Sequence, residues 1–210
     1  MPFTTLTQPP LFLQEGEYSA RLARNLASFV GTEGVLGVTD LFVRQRLAGP
    51  AMLIEVLPGR AIVDGDDIPF QGPYLVVSEE VLEVSVPAAD TALPRVDLVV
   101  LRVLDSNAGA SADEARIELL EGTPDAEPVP PALPDTAIPL ALVTVAPNVT
   151  VILQPSITEA RLPSGPLVEP VLNNLGDVTV PSPEDGDTLV FQNGEWVAES
   201  PIGLIIALGG

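Results

Sequence analysis

Few kinds of side chain in this sequence could do chemistry. The chain of 210 residues contains neither histidine nor cysteine. Histidine general bases, thiolate nucleophiles and the commonest zinc ligands are therefore absent, which leaves carboxylates, hydroxyls and arginines. With that set, the best available catalytic arrangement is a carboxylate pair of the kind found in glycosidases. No carboxylate lies in a motif that distinguishes it from the other acidic residues, so we expect no catalytic residue, no cofactor and no enzymatic activity.

One acidic cluster has a spacing that suggests metal binding. Asp64, Asp66 and Asp67 are close in sequence, and carboxylates so placed could bind calcium. The late bidentate glutamate of a calcium-binding loop is missing from the sequence that follows. We therefore interpret the cluster as a structural turn and predict no metal site, with a bound calcium ion as the alternative.

The net charge restricts the partners of this chain. Acidic residues number 29 and basic residues 9, which gives a formal charge of −20. A molecule with this charge repels phosphate backbones and anionic lipid surfaces, so we expect no nucleic-acid partner. Its apolar segments are far shorter than the roughly 20 residues that span a bilayer, and residues 1–10 lack the basic start and apolar core of a secretion signal. We therefore expect neither membrane insertion nor Sec-dependent export.

The elements that would have to position any site are predicted to be β-strands. Proline and glycine, 23 and 17 in number, divide the chain into short apolar runs, a pattern typical of all-β folds. The run at residues 94–105 has apolar side chains on both faces, and a polar loop joins it to a second run at residues 116–123. A strand of this kind lies inside a sandwich or barrel. Its charged residues Arg95, Asp97 and Arg102 must then find opposite charges or backbone acceptors, because unpaired buried charges are costly.

The N-terminal part has a different period. Tyr18, Leu22 and Leu26 recur every four residues, and Phe29 continues the pattern. This spacing predicts one amphipathic helix over residues 15–30 that covers the sheet with its apolar side.

Short apolar runs bounded by glycine, proline or aspartate predict further strands. They cover residues 38–46, 51–57, 60–63, 74–77, 81–86, 138–145 and 149–153. Alternation is cleanest at residues 82–86, which should be half exposed. Residues 122–135, which we call the Pro-rich strap, contain five prolines. Proline cannot join the middle of a ladder, so the strap should run as an extended segment laid over the domain.

Several separate motifs occur in a recognisable order. They are Pro94-Arg-Val-Asp97, the valine-rich run after it, Gly122-Thr-Pro124, Pro131-Ala-Leu-Pro134, Pro139-Leu-Ala-Leu-Val-Thr-Val145 and Ile157-Thr-Glu-Ala-Arg161. Together they resemble the N-terminal domain of minor tail proteins from long-tailed phages of actinobacteria, over residues 15–161. The resemblance implies a virion component of the tail tip, baseplate or fibre whose activity is structural attachment.

Residues 172–200 carry a second resemblance. Their motifs are Leu172-Asn-Asn-Leu-Gly-Asp-Val-Thr-Val180, Pro183-Glu-Asp-Gly-Asp-Thr-Leu189 and Gly194-Glu-Trp-Val197, which are similar to a short module of phage tail fibres. We expect two or three short strands around a hairpin turn at residues 192–194. So small a module cannot bury a core alone. We interpret Trp196, the only tryptophan, as the centre of its core, with stacking on a sugar as the alternative.

The last residues of the chain predict self-association. Residues 201–210 are apolar and uncharged, and such a tail would promote aggregation if it were exposed. Three copies around one axis would bury both this tail and the small module, and fibres of the resembled family are commonly three-fold. We therefore predict a homotrimer. The predicted interface residues are Leu175, Val178, Leu189, Trp196, Leu204 and Ile206.

These patterns predict a mainly β protein in five parts. The parts are an extended N-terminal arm (1–14), a β-rich tail-attachment domain that is sandwich-like or barrel-like and has one N-terminal amphipathic helix (15–161), a Pro-rich linker (162–171), a small fibre-type β module (172–200) and an apolar tail (201–210). The expected function is a structural one in a phage virion tail, with other tail proteins as partners and the host cytoplasm as the location before assembly. The alternative is an adsorption protein that binds a host-surface carbohydrate, although the chain is poor in aromatic platform residues.

Overall fold

The chain divides into two compact units, Met1–Leu167 and Val168–Gly210. The structure is a computed structural model that describes residues 19–165 and three later strands, at residues 178–179, 188–192 and 195–199. The predicted arm at residues 1–14 and the predicted apolar tail at residues 201–210 lie outside the described residues.

The α-helix of the N-terminal unit ends earlier than the sequence predicts. Helix α1 spans Ala20–Arg24, and the Ser19 hydroxyl caps its first turn. The chain then tightens into a 3₁₀-helix at Ala27–Phe29. Because a 3₁₀-helix has fewer residues per turn, the later apolar residues rotate away from the predicted stripe, and Phe29 is 74% exposed. The start of the predicted helix, residues 15–18, lies outside the described residues.

Strands make up most of the rest of this unit. They are β1 (Gly34–Val35), β2 (Val43–Gln45), β3 (Leu53–Val56), β4 (Gly59–Val63), β5 (Tyr74–Ser78), β6 (Leu82–Ser85), β7 (Arg95–Leu104), β8 (Glu114–Leu120), β9 (Ala137–Val145) and β10 (Ile157–Glu159). Every predicted run between residues 38 and 145 contains one of these strands. Strand β1 was not predicted, because only two residues pair and the first is a glycine with a φ angle of +133°.

The strands of this unit form three antiparallel sheets. Their strand orders are β1-β4-β5, β2-β3-β6 and β10-β9-β7-β8. Strand β7 lies inside the four-stranded sheet, between β8 and β9. Residues 97–101 of β7 are all buried, which confirms the predicted strand with two covered faces. The protein is therefore mainly β, as the sequence predicts.

All three sheets contribute to one hydrophobic core. Its side chains come from β1, β2, β3, β4, β7 and β9, together with Leu41, Val86 and Ile152 from connecting segments. The edge strand β10 contacts β2, and the edge strand β8 contacts β6. Burial of each such aliphatic side chain contributes roughly 1.5–3 kcal/mol to folding. Core residues with no exposed surface include Leu41, Ile54, Val56, Ala61, Val63, Val99, Leu140 and Val143.

The Pro-rich strap connects β8 to β9. Both strands run antiparallel to β7 and flank it, so they are parallel to each other and their connection must cross one face of β7. One face carries Val99 and belongs to the shared core, whereas the other carries Leu98 and Val100, which are also buried. The strap therefore crosses the face of Leu98 and Val100. It contains no strand or helix, and the chain bends at residues 126–127 and 135–136.

The predicted strand at residues 149–153 is wrong. This segment is irregular and ends in a 3₁₀-helix at Gln154–Ser156. Ile152 is buried, and its N–H donates to the Ala51 carbonyl at 2.9 Å. Beyond it, side-chain amides take the place of a backbone ladder: the Gln45 N–H donates to Gln154 Oε1 at 3.0 Å, and the Gln154 N–H donates to Gln45 Oε1 at 2.8 Å. Apolar alternation alone could not reveal that exchange.

The first residues of the predicted linker are hydrogen-bonded to the N-terminal unit. Pro163 forms an isolated parallel bridge with Val35. The Val35 N–H donates to the Leu162 carbonyl at 2.9 Å, and the Ser164 N–H donates to the Val35 carbonyl at 2.7 Å. Gly165 donates its N–H to the Thr32 hydroxyl. Residues 162–165 therefore extend the edge of β1, and residues 166–171 lie outside the described residues.

Three strands of the second unit form one sheet. They are β11 (Val178–Thr179), β12 (Thr188–Gln192) and β13 (Glu195–Glu199), in the order β11-β13-β12. Strands β12 and β13 are antiparallel, with Gln192 opposite Glu195, so the predicted hairpin is present. Strand β11 adds to the other side of β13 in parallel.

Candidate functional site

The most deeply buried charges of the N-terminal unit are two neighbours on β7. Arg95 is 1% exposed and Asp97 is 0% exposed. Residues two apart on a strand point to the same face, and the Arg95 Nε donates to Asp97 Oδ1 at 2.9 Å. Burial of an ion pair is costly unless further hydrogen bonds satisfy both partners.

Backbone groups from two other segments supply those hydrogen bonds. The Arg95 guanidinium donates to the carbonyls of Ala88 at 2.7 Å and Pro87 at 2.6 Å. The Gly122 N–H donates to Asp97 Oδ1 at 2.8 Å, which connects the start of the strap to β7. Asp97 Oδ2 is buried without a hydrogen-bond partner among the described residues. The ion pair thus joins β7 to the loop that precedes it and to the start of the strap.

Gly122 is required at this junction because of a close backbone approach. A Cβ atom at this position would lie 2.1 Å from the Val96 carbonyl oxygen, which is far inside van der Waals contact. The Asp125 N–H also donates to the Pro94 carbonyl at 3.0 Å. Two of the sequence motifs, Pro94-Arg-Val-Asp97 and Gly122-Thr-Pro124, therefore meet in one buried contact.

The third charge of β7 is also paired. Arg102 Nη1 lies 3.8 Å from Glu118 Oε2 on the neighbouring strand β8, and both side chains are partly buried. The prediction that Arg95, Asp97 and Arg102 each find an opposite charge or backbone acceptors is confirmed.

A second polar cluster lies where α1 meets the end of β7. The Tyr74 hydroxyl donates to Asp105 Oδ2 at 2.6 Å and accepts from Gln71 Nε2 at 3.0 Å. Arg24 Nη1 lies 3.6 Å from Asp105 Oδ2, and the guanidinium carbon is 4.4 Å from the centre of the Tyr74 ring. The Asn107 N–H donates to Asp105 Oδ1 at 2.8 Å. This cluster ties the helix to two strands.

The surroundings of Tyr74 and Asp105 lower the pKa of Asp105 and raise the pKa of Tyr74. The hydrogen bond from the Tyr74 hydroxyl is the main reason why the pKa of Asp105 lies below its ordinary value. Burial is the main reason why the pKa of Tyr74 lies above its ordinary value, and its bond to Asp105 adds to that shift. Both shifts favour the protonated phenol beside the ionised carboxylate.

A cavity of about 270 Å³ opens beside this cluster. Its walls combine the first turn of α1 with the loop after β7. The lining residues are Ser19, Ala20, Arg21, Arg24, Ile68, Gln71, Asp105, Asn107 and Ala108. The sequence did not reveal this site, because its members come from three separate segments and none forms a motif.

The acidic cluster at residues 64–67 lies in the irregular segment after β4 and is hydrogen-bonded to other segments. The Thr136 hydroxyl lies 2.5 Å from Asp67 Oδ2, and the Asp66 N–H donates to the same hydroxyl at 3.1 Å. The Asp64 N–H donates to Glu33 Oε1, and burial raises the pKa of Glu33. Within residues 19–165 and the three later strands, no three acidic side chains lie close enough to hold a metal ion. The observed contacts of the cluster are hydrogen bonds that connect it to Thr136 and Glu33.

Three of the six predicted interface residues lie in the sheet of the second unit. Val178 and Trp196 are partners across β11 and β13, and Leu189 is opposite Ala198 across β12 and β13. By register, Val178, Leu189 and Trp196 belong to one face of this sheet. Trp196 is 42% exposed. The other three residues, Leu175, Leu204 and Ile206, lie outside the described residues.

None of the helices that the structure describes has the length and apolar character needed to traverse a bilayer. Comparison of the chain with models of known protein families, with curated proteins and with solved structures found no match.

Asp97→Ala should lower the free energy of unfolding by about 3 kcal/mol. The substitution removes the buried carboxylate that lies 2.9 Å from Arg95 and leaves only the half-exposed Glu121 at 3.6 Å, and broken buried pairs are strongly destabilising. Urea denaturation followed by circular dichroism measures the change. Glu114→Ala is the matched control, because Glu114 pairs with Arg116 at 2.9 Å on the exposed part of the same sheet. The control should change stability by less than about 1 kcal/mol, and equal effects of the two variants would contradict a special role for Asp97.

The hydrogen bond between Tyr74 and Asp105 should make stability depend on acidity. Because the folded-state pKa of Asp105 is lowered, its contribution is complete above the unfolded pKa of about 3.9 and is lost as the pH falls through the folded-state value. Tyr74→Phe should therefore lower the melting temperature at neutral pH, and the difference from the unsubstituted chain should shrink at the acid end of a series from about pH 7 to pH 2. In an Asp105→Asn background the Tyr74→Phe difference should not vary with pH. If the Tyr74→Phe difference in melting temperature did not vary with pH in the original background, the hydrogen bond would not couple stability to the ionisation of Asp105.

Proposed function

We propose that this chain is a structural component of a phage virion tail, a minor tail protein at the tail tip, baseplate or fibre base. The observation that carries the proposal is the convergence of the motifs behind the resemblance. Pro94-Arg-Val-Asp97 and Gly122-Thr-Pro124 share the buried ion pair, Pro139-Leu-Ala-Leu-Val-Thr-Val145 forms most of β9, and Ile157-Thr-Glu-Ala-Arg161 begins with β10 beside it. Motifs that converge in this way define one domain with a structural purpose.

Arg161, the last residue of these motifs, supports the same interpretation. Its guanidinium donates to the carbonyls of Asp40 and Val38, in the latter case at 3.1 Å, and to Glu159 Oε2 at 3.0 Å. It also lies 5.0 Å from the centre of the Phe42 ring. The end of the domain is thus attached to the loop before β2. We propose that the edge contacts of β10 with β2 and of β8 with β6 belong to a sandwich-like or barrel-like attachment domain.

In this role the chain binds other tail proteins, and it resides in the host cytoplasm until assembly places it in the tail. The charge of −20 favours partners with basic surfaces over nucleic acid. The second candidate is a carbohydrate-binding adsorption protein, and the partial exposure of Trp196 is the observation that favours it.

The location of the chain in purified particles tests the proposal. Mass spectrometry of particles from the phage that encodes this chain should detect it in a fixed ratio to the other tail proteins, and labelled antibodies should place it on the tail. In parallel, the purified chain is screened against cell-wall glycans of the host. Binding of a glycan by the free chain, together with its absence from particles, would contradict the structural role and support the adsorption protein.

We further propose that the second unit makes the protein a homotrimer. Support comes from the face that Val178, Leu189 and Trp196 share and from the neutral, apolar sequence of residues 201–210. Three chains carry a summed charge of −60, from three times −20, so the contact must be made by segments with little charge.

A truncation after Leu167 tests where the trimer forms. The truncated chain retains the core of the N-terminal unit and should be monomeric in light scattering at low protein concentration, near 1 µM, whereas the full chain should have three times the mass of one protomer. A trimeric truncated chain would assign the interface to the N-terminal unit. A monomeric full chain under the same conditions would contradict the trimer.

A further inference from the structure

Strand β5 forms an open edge of its sheet. It pairs with β4 on one side, and no other described strand pairs with it on the other. Two apolar side chains of the strand are exposed on the outer face of the sheet: Leu75 is 58% exposed and Val77 is 63% exposed. An edge of this kind can pair with another chain unless charge, proline or a covering segment blocks it.

Backbone hydrogen bonds show which groups of β5 point to the open side. The Leu36 N–H donates to the Arg60 carbonyl at 3.0 Å, so the peptide groups of Arg60 face β1. In an antiparallel sheet successive residues alternate between the two neighbours, so the peptide groups of Ala61 face β5 and bond with Val76. The N–H and C=O groups of Leu75 and Val77 therefore point away from β4, toward the open side.

The chain itself closes the opposite edge of this sheet. Val35 in β1 donates to Leu162 and accepts from Ser164 at 2.9 and 2.7 Å. Residues 162–164 thus occupy the outer side of β1. Of the two edges of this sheet, β5 is therefore the one whose outward peptide groups have no partner among the described residues.

We propose that this edge is an interface between two copies of the chain, in which β5 of one copy pairs antiparallel with β5 of the other across a two-fold axis at Val76. Leu75 then lies opposite Val77 of the second copy, and Val77 lies opposite Leu75. Both pairs consist of residues whose peptide groups point outward, so each pair exchanges two backbone hydrogen bonds. The same pairing places the two exposed apolar side chains side by side on the outer face.

The charges near β5 fit this register. Residues 73–78 contain no acidic or basic side chain, although the chain carries −20. In the proposed register Glu79 lies opposite Pro73 and Glu80 opposite Gly72 of the second copy, so no carboxylates oppose each other. A shift by one pair of residues toward the glutamates would place Glu79 opposite Leu75. In the proposed register a second copy can therefore pair with β5 without opposing like charges.

Proline limits the length of the contact. Pro73 has no N–H, so the added ladder ends beside it. A two-fold contact uses the same edge of both copies and leaves no free β5 edge for a third. The interface is small and should form only at high local concentration, which separates it from the three-fold contact proposed for the second unit.

Cross-linking of full-length chains tests the register. The chain contains no cysteine, so single cysteines report on the contact without interference. A mixture of the Leu75→Cys and Val77→Cys variants, at about 100 µM under mild oxidation, should give the mixed disulfide-linked dimer at least about fivefold faster than either variant alone, because residues directly opposite are closer than diagonal ones. Equal rates in all three samples would overturn the register, and absence of cross-linking would overturn the interface.

Light scattering of charge variants tests the contact independently. Val77→Lys adds a cation to the edge and should lower the mass of the full-length assembly at about 100 µM to the value measured near 1 µM. Val38→Lys is the matched control, because Val38 is 92% exposed and lies outside the sheets, and it should leave the mass unchanged. Equal masses for the unsubstituted chain and Val77→Lys would overturn the proposal. Failure of this proposal can be distinguished from failure of the trimer. The trimer is tested near 1 µM, where the β5 contact is dissociated, whereas the β5 contact is tested at about 100 µM.

Discussion

The buried pair of Arg95 and Asp97 is the constraint on which much of the N-terminal unit depends. Two charges without solvent are stable only when their remaining donors and acceptors are satisfied. Here the carbonyls of Pro87 and Ala88 and the N–H of Gly122 satisfy most of them. The loop before β7, the strand itself and the start of the strap must therefore be in place together, so the pair makes the formation of these segments cooperative.

The same constraint positions the Pro-rich strap, which has no ladder of its own. Its first end is held by the bonds from Gly122 to Asp97 and from Asp125 to Pro94. The strap leads directly into Thr136, which bonds to the acidic turn through Asp67. Between these anchors the strap crosses one face of β7, which explains how a strand can be buried on both sides in a unit of this size.

Charge determines where such a domain could associate. With 29 acidic residues on the chain, most of the surface repels a second copy. Segments without ionised side chains are exceptions, and they include residues 73–78 on the edge of β5 and residues 201–210 at the end of the chain. The proposed self-contacts involve these two neutral segments, because contact between identical chains avoids opposing like charges where no side chain is ionised.

The sequence by itself determined the strand content, the buried central strand and the need to pair its charges, because these follow from short-range alternation and from the cost of burying a charge. It did not predict the end of α1 at Arg24, the side-chain exchange between Gln45 and Gln154, or the cluster around Tyr74. Each of these depends on which distant segments become neighbours. Only the tertiary structure decides that, because hydrogen bonds between segments follow from the packing of the sheets and leave no periodic pattern in the chain.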